Sequence, residues 1–271
     1  MLRDKRLAVL GVGKMGGALA RGLVSAGAMT PDHISVYDAH SEKSLEVAQS
    51  LGVGCRAAHS TVDAIADADI ILLAVKPAVV PHVLKEIAPA LKPTQLIISI
   101  AAAVRLAKME SLLPADVPVI RTMPNTPCLV GAGATAVCAG ASATAEHMRI
   151  ALSLFSSVGI SVEVEERLMD AVTGLSGSGP AYVYMMIEAL ADGGVKAGLT
   201  RDTARKLAGQ TVLGAAQMVL SSEDHPAQLK DNVTTPGGTT IAALAVLERA
   251  GFRIALMDAI EAAAERSREL S

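Results

Sequence analysis

The stretch Leu7-Ala-Val-Leu-Gly-Val-Gly-Lys-Met-Gly16 decides how the rest of the chain is read. Four apolar residues, Leu7 to Leu10, have the length and character of a buried strand. Gly11, Gly13 and Gly16 follow at once in Gly-x-Gly-x-x-Gly spacing, and an amphipathic run then extends through Ala26. In such a strand–turn–helix unit the first glycine makes the tight turn and the second lets a pyrophosphate approach the backbone. The third lets the helix pack closely on the strand. A chance cluster of glycines would need neither the strand before it nor the helix after it. Gly11, Val12, Gly13, Lys14, Met15 and Gly16 are therefore the first candidate residues for a dinucleotide cradle.

Downstream of this unit, apolar strands alternate with helical runs. Ile34 to Tyr37 reads as the second strand and ends in Asp38, about 20 residues past the glycines, where a carboxylate can hold ribose hydroxyls. Ser41 to Leu51 reads as a helix closed by Gly52. Asp69 to Val75 and Gln95 to Ile100 are the near-continuous apolar runs of strands buried on both faces. The first ends at Lys76-Pro77 and the second runs into Ala101-Ala102-Ala103. Lys76 thus stands at a strand end, either at a ligand crevice or as an ordinary solvated loop residue. Val117 to Arg121 is a further strand. It leads into Thr122-Met-Pro-Asn-Thr-Pro127, where two prolines hold the chain extended and out of any helix, with Asn125 between them. Gly133 to Ala139 and Ile160 to Val164 complete the strands around a helix from Thr144 to Ser157. The pattern implies an α/β, Rossmann-type doubly wound sheet whose ligand crevice lies beyond the strand carboxyl ends.

From Glu165 onward only helical periodicity remains, placing a boundary between residues 1–165 and 166–271. The helices read are Glu166 to Gly174, Pro180 to Ala197, Arg201 to Leu220, Thr239 to Ala250 and Arg253 to Leu270. Gly174-Leu-Ser-Gly-Ser-Gly-Pro180 reads as a glycine-rich turn, either a second phosphate cradle or a close helix–helix crossing. Asp231 to Glu248 is the most informative stretch of this half: Asn-Val-Thr-Thr-Pro-Gly-Gly-Thr-Thr precedes a helical run. Pro236 lacks an N–H, and Gly237 and Gly238 add no bulk. Thr239 and Thr240 then stand at a helix start whose amides attract a carboxylate or phosphate without a lysine.

At 271 residues the chain suits about two domains. It is 51% hydrophobic but only 2% aromatic, with mean hydropathy +0.42. Alanine-rich helices, such as those within Ala189 to Val219, leave few large side chains for a private core, which implies a dimer that shares one. A formal net charge of −3 gives no reason to expect nucleic acid or an anionic membrane as partner. Cys55, Cys128 and Cys138 lack metal-ligand spacing and read as reduced thiols of a cytoplasmic protein. The first residues lead straight into a strand, unlike a signal peptide, and the longest apolar run, Leu96 to Val104, is too short to span a bilayer.

Five segments together resemble one family, the pyrroline-5-carboxylate reductases: Gly11 to Gly16, Ala74-Val-Lys-Pro77, Arg121 to Pro127, Gly174 to Tyr182 and Pro226 to Thr240. The resemblance implies reduction of the cyclic imine 1-pyrroline-5-carboxylate to L-proline with NADPH or NADH, the last step of proline biosynthesis. It also implies a Rossmann domain followed by an all-helical domain that interlocks with a second subunit, giving a homo-oligomer built from dimers. Carried over by position, Val12 to Met15, Ser60, Val75, Lys76 and Asn125 would line the cofactor, with Ala101 and Ala102 at its nicotinamide end. Glu166, Asn232, Gly238, Thr239 and Thr240 would meet the substrate. Lys14 and Ser60 stand where asparagine is frequent, and Ala103 where glycine usually follows the alanines.

The residues suit that chemistry. No Ser-His-Asp set, Cys-His pair or metal cluster occurs, and hydride transfer to a protonated imine requires none. A threonine hydroxyl is a weak acid, so Thr240 reads as an orienting group with the substrate protonated from solution. An enzymatic rival, a β-hydroxyacid dehydrogenase, relies on a lysine early in the helix after the second glycine turn. Pro180 to Ala191 contains none, and Lys196 comes only near the end. A non-catalytic dinucleotide-binding protein is the rival of another class, and it leaves residues 231–240 unexplained. Asp38 alone favours NADH by repelling a 2′-phosphate, whereas the resemblance favours NADPH, with Ser41 and Lys43 near enough to serve.

Overall fold

The computed structural model describes residues 2–271, which divide into two compact units. The first comprises residues up to Ser178 together with Ala262–Ser271, and the second is Gly179–Glu261.

The first unit is the expected doubly wound sheet. Its elements in order are β1 (Leu7–Leu10), α1 (Lys14–Ser25), β2 (Ile34–Tyr37), α2 (Ser41–Leu51), β3 (Arg56–Ala57), α3 (Thr61–Ile65) and β4 (Ile70–Leu73). Then follow α4 (Val80–Ile87), β5 (Leu96–Ser99), α5 (Leu106–Glu110), β6 (Val119–Met123), β7 (Gly133–Ala139), α6 (Ala145–Ser156), β8 (Gly159–Glu163) and α7 (Met169–Val172). Spatially the strands run β3-β2-β1-β4-β5-β6-β7-β8. The first six are parallel, β7 is antiparallel to β6, and β8 is parallel to β7.

Alternate residues of the central strands feed two cores, one on each face. Leu7, Val9, Ile70, Leu72 and Ile98 pack with Leu19, Leu23, Leu154 and Phe155 of α1 and α6. Ala8, Leu10, Ile71, Leu73 and Ile97 pack with Ile65, Leu84, Ile87 and Met109 of α3, α4 and α5. Each of the large side chains among them contributes about 1.5–3 kcal/mol by burial, so this unit carries a substantial core of its own. Gly52, at φ +116°, closes α2 and donates its N–H to the Ala48 carbonyl. Thr144 caps α6 in a reciprocal pair with His147.

Three local expectations are corrected. Thr122 and Met123 lie within β6, and Thr126–Val130 forms a 3-10 turn rather than extended chain. Pro127 sits at the start of that turn, where a missing N–H costs nothing, so it admits the helix it was expected to exclude. The run expected as one helix from Glu166 to Gly174 is broken into a 3-10 turn, Glu166–Leu168, the short α7, and a π turn, Thr173–Gly177. Within the glycine-rich stretch, Ser178 N–H reaches back five residues to the Thr173 carbonyl at 2.8 Å. The hydroxyls of Thr173 and Ser176 bond the carbonyls of Met169 and Val172 four residues earlier, which widens the helix there. A Cβ on Gly177 would lie 2.5 Å from Met123 Cε, so its absence lets this widened turn press against β6. With Met169 buried in the second core, the compact first unit extends past residue 165 to Ser178.

The second unit is all helical: α8 (Gly179–Lys196), α9 (Arg201–Ser221), α10 (Pro226–Asn232), α11 (Thr239–Arg249) and the first half of α12 (Phe252–Leu270). Helix α10 was not anticipated, although Pro226 at its first position and His225 as its cap are ordinary start signals. The buried residues of this second unit are Ala191, Ala204 and Ala208 alone. Gly194 lets α8 and α9 approach closely there, since a Cβ would stand 3.1 Å from that of Ala204. Met185, Leu207, Leu213, Leu220 and Met257 are all more than half exposed. Among the described residues no helix is long and apolar enough to cross a membrane, and no group of three or more potential metal ligands gathers.

Candidate active site

The sheet order reverses between β1 and β4, and ligands of such sheets sit beyond the strand carboxyl ends at that point. The chain there is built around missing side chains. Gly11 has φ +94°, and a Cβ on it would lie 2.8 Å from the Ala74 carbonyl group and 2.9 Å from Val75 Cγ1. A Cβ on Gly16 would fall 2.0 Å from the Gly11 oxygen and 2.9 Å from the Ala74 Cβ. These glycines are required by contacts within the protein. Gly13 is different: a Cβ there would meet nothing within 4 Å. It is also the N-cap of α1 and offers no side-chain hydrogen bond, so the first-turn amides at Lys14, Met15 and Gly16 are open to an anion. This cradle fits a dinucleotide pyrophosphate.

Around it, the structure gathers some of the candidate residues and assigns others to the frame. Val12 points its side chain into the first core, and its N–H donates to Asp38 Oδ2 at 3.1 Å. Asp38 Oδ1 accepts the His40 N–H, also at 3.1 Å. Val75 adjoins Gly11, and Lys76, exposed, precedes the 3-10 turn Pro77–Val79. An open cleft of about 830 Å³ lies beyond β4 and β5, with Pro77, Pro81, Ala102, Ala103 and Arg105 among its lining residues. Ala101 is buried and donates its N–H to Ser99 Oγ. Ala103 has φ +59°, the sole non-glycine residue with positive φ among those described, which explains why glycine suits that position.

Ser60 caps α3, accepting the Asp63 N–H on its hydroxyl. Asn125, buried, accepts the Ala134 N–H on Oδ1 and donates from Nδ2 to the Ser176 carbonyl, tying β7 to the π turn. Glu166 Oε1 accepts both the Leu106 N–H at 2.7 Å and Arg121 Nη1 at 2.9 Å. Arg121, with a 6% exposed side chain, was assigned no role from sequence. A lone cation in an apolar strand was the available signal, because burial obliges it to find a carboxylate.

In the helical unit, Asn232, Gly238, Thr239 and Thr240 share one short stretch. Asn232 Oδ1 accepts from Gln228 Nε2 at 2.9 Å. Gly237 turns the chain at φ +66°, and Gly238 donates its N–H to the Thr235 carbonyl and caps α11 without a side chain. A Cβ on Gly238 would lie 2.3 Å from Thr235 Oγ1 and 3.1 Å from the Thr235 carbonyl oxygen, so any larger residue must displace the Thr235 hydroxyl. The hydroxyls of Thr239 and Thr240 have no hydrogen-bond partner among the described residues, leaving donors and acceptors facing solvent at a helix N-terminus.

Comparison with known proteins fits both halves. Residues 166–270 match the family model for pyrroline-5-carboxylate reductase dimerisation. Residues 6–103 match one described as NADP oxidoreductase, coenzyme F420-dependent. A pyrroline-5-carboxylate reductase of Synechocystis is 48% identical over 98% of this chain and 98% of its own. The chain belongs to the pyrroline-5-carboxylate reductase family. Among solved structures, the pyrroline-5-carboxylate reductase of Coxiella burnetii matches with a TM-score of 0.93 at 34% identity, covering 99% of both chains. That of Plasmodium falciparum, with NADP bound, matches with a TM-score of 0.88 at 35% identity, covering 100% of this chain and 99% of its own. The helical unit, poor in buried side chains, lies within the segment matched by the dimerisation model, and leucines and methionines of α8, α9 and α12 stand exposed.

Proposed function

We propose that the protein reduces 1-pyrroline-5-carboxylate to L-proline, using NADPH and also NADH. The observation that carries this reading is full-length similarity to relatives of that name, in a chain that keeps an uncapped, glycine-lined helix N-terminus able to seat a carboxylate. When bound, the nicotinamide cofactor supplies the hydride. Gly11, Gly13 and the first-turn amides of α1 would hold its pyrophosphate, with Val75, Lys76, Ala101 and Ala102 beside it; Ser60 and Asn125 act through the frame they cap and tie. The substrate carboxylate would sit on the amides at Gly238 to Thr240, where the helix dipole favours negative charge. Thr240 would accept the iminium N–H and so orient the C=N bond, the proton having come from solution. Asn232 and Thr239 would complete the polar wall. Holding the reactants in one geometry is itself a large part of the barrier.

Ser41 and Lys43, in the first turn of α2 just after Asp38, support the choice of NADPH, since both could serve a 2′-phosphate. Glu166 supports the site by fixing Leu106 and Arg121. Residues 166–270 act as the oligomerising segment, and dimers are the unit from which any larger assembly forms. Burial raises the thiols of Cys55 and Cys138 to about 11, which keeps them protonated and fits a reducing cytoplasm. The test is NAD(P)H oxidation followed spectrophotometrically with pyrroline-5-carboxylate against 2-oxo acids. Turnover with the imine alone is the expected result. Turnover with the oxo acids alone would favour the hydroxyacid dehydrogenase reading, and binding without turnover a non-catalytic role.

A further inference from the structure

We propose that Asp38 is a positioning residue that holds the glycine-rich loop in place through the Val12 amide, and that it does not select between the two nicotinamide cofactors. An acidic residue at the end of the second strand is ordinarily assigned to ribose hydroxyls, and its charge is taken to exclude a 2′-phosphate. Here each carboxylate oxygen already accepts a backbone N–H. Oδ2 accepts the Val12 N–H at 3.1 Å, 26 residues away in sequence, and Oδ1 accepts the His40 N–H at 3.1 Å. The Asp38 N–H in turn donates to Ser44 Oγ at 2.8 Å, and Ser44 is buried on α2. Two hydrogen bonds therefore run from Ser44 of α2 through Asp38 to Val12, the residue between Gly11 and Gly13, and a third ties Asp38 to His40.

The loop needs such a strut. Gly11 is fixed against Ala74 by close contact, and Gly16 is fixed against Gly11, but nothing within 4 Å would confront a side chain at Gly13. Val12 is the residue that carries the chain from the packed glycine to the open one. Its side chain is anchored in the core and its amide by Asp38, so both ends of this peptide are located. With both oxygens accepting backbone N–H groups, the negative charge is partly compensated where a 2′-phosphate would approach. That accounts for an acidic residue in a family one of whose members was solved with NADP bound.

The inference rests on the reading of this crevice as the cofactor site, and the experiment separates the two. Kd for NADPH and for NADH is measured by equilibrium titration of wild type, Asp38→Asn and Ser44→Ala, together with hydrogen exchange of the Val12 amide in cofactor-free protein. In Asp38→Asn one carboxylate oxygen becomes an NH₂ group that opposes an N–H. Expected are faster exchange at Val12 and an approximately tenfold weaker Kd for both cofactors, their ratio staying within about threefold of wild type, near one lost hydrogen bond. Ser44→Ala, which leaves Asp38 itself intact, should shift both Kd values the same way by a smaller factor, and it carries the test if Asp38→Asn does not fold. A ratio moved tenfold or more toward NADPH would mean that Asp38 selects at the ribose and would overturn the proposal, as would unchanged affinities and exchange. Wild type that binds neither cofactor would instead refute the cofactor-site reading itself.

Discussion

The two units solve the problem of stability in opposite ways. The sheet unit buries large side chains on both faces of its central strands, and even its buried Arg121 has a carboxylate partner within 2.9 Å. The helical unit buries three alanines and leaves leucines and methionines in the open. The polar groups differ in the same sense. Carboxylates and amides of the sheet unit that could serve a ligand, Asp38, Asn125 and Glu166, are already bonded to backbone, whereas Thr239 and Thr240 of the helical unit are idle. One unit is a finished scaffold whose open groups at the crevice are the backbone amides at the start of α1. The other is a half-built surface, with large apolar side chains and two threonine hydroxyls left without partners among the described residues.

Substitution at the cradle glycine strikes the finished unit hardest. Gly16→Ala would force a Cβ to within 2.0 Å of the Gly11 oxygen, with backbone on the far side of the contact. Chemical denaturation should show a loss of about 3 kcal/mol or more, at the upper end for overpacking. A loss under about 1 kcal/mol would show that this unit is looser than its packing indicates.

In the helical unit the same kind of change should act on catalysis first. Gly238→Val meets Thr235 Oγ1 and crowds the amides of α11. Its kcat/KM should fall further than that of Thr240→Ala, which loses one oriented hydrogen bond, about 1.5–3 kcal/mol or ten- to two-hundredfold. The acid limb of the pH profile should persist in Thr240→Ala, because the proton belongs to the substrate. Loss beyond about ten-thousandfold with the pH dependence abolished would make Thr240 an obligatory acid.

Cofactor choice should be a weaker discriminator. With Asp38 engaged by Val12 and His40, NADPH should be preferred modestly and NADH should remain active. A preference for NADH above about a hundredfold, roughly 2.7 kcal/mol, would show uncompensated charge at Asp38. The smallest effect is expected at Ala103, whose φ of +59° suits glycine. Ala103→Gly relieves about 1–2 kcal/mol of backbone strain and returns up to about 1 kcal/mol as unfolded-chain entropy, so thermal unfolding should shift upward slightly or not at all.

Most of this organisation was legible in the sequence. The apolar runs at Leu7, Ile34, Asp69 and Gln95, the glycine spacing and the closing Gly52 determined the sheet, because buried parallel strands and their turns tolerate few residue types. The helical unit was legible as helices and as a surface in need of a partner. What escaped was long-range or subtle. The π turn at Thr173–Gly177 depends on two hydroxyls bonding back along the helix and on a close approach to Met123, neither of which has a periodic signature. The sequence could flag Asp38, Asn125 and Glu166 as polar residues at strand ends or the domain boundary, but not that their hydrogen-bonding atoms would be used by Val12, Ala134 and Leu106.

The central contrast, a self-sufficient sheet unit against a helical unit completed by a second copy, is tested most directly by dilution. Sedimentation and activity are followed together into the nanomolar range on the full chain. The expected result is a dimer or larger species wherever the protein is folded and active, with activity and helical stability falling together if it dissociates. A monodisperse monomer that is fully active at nanomolar concentration would contradict it.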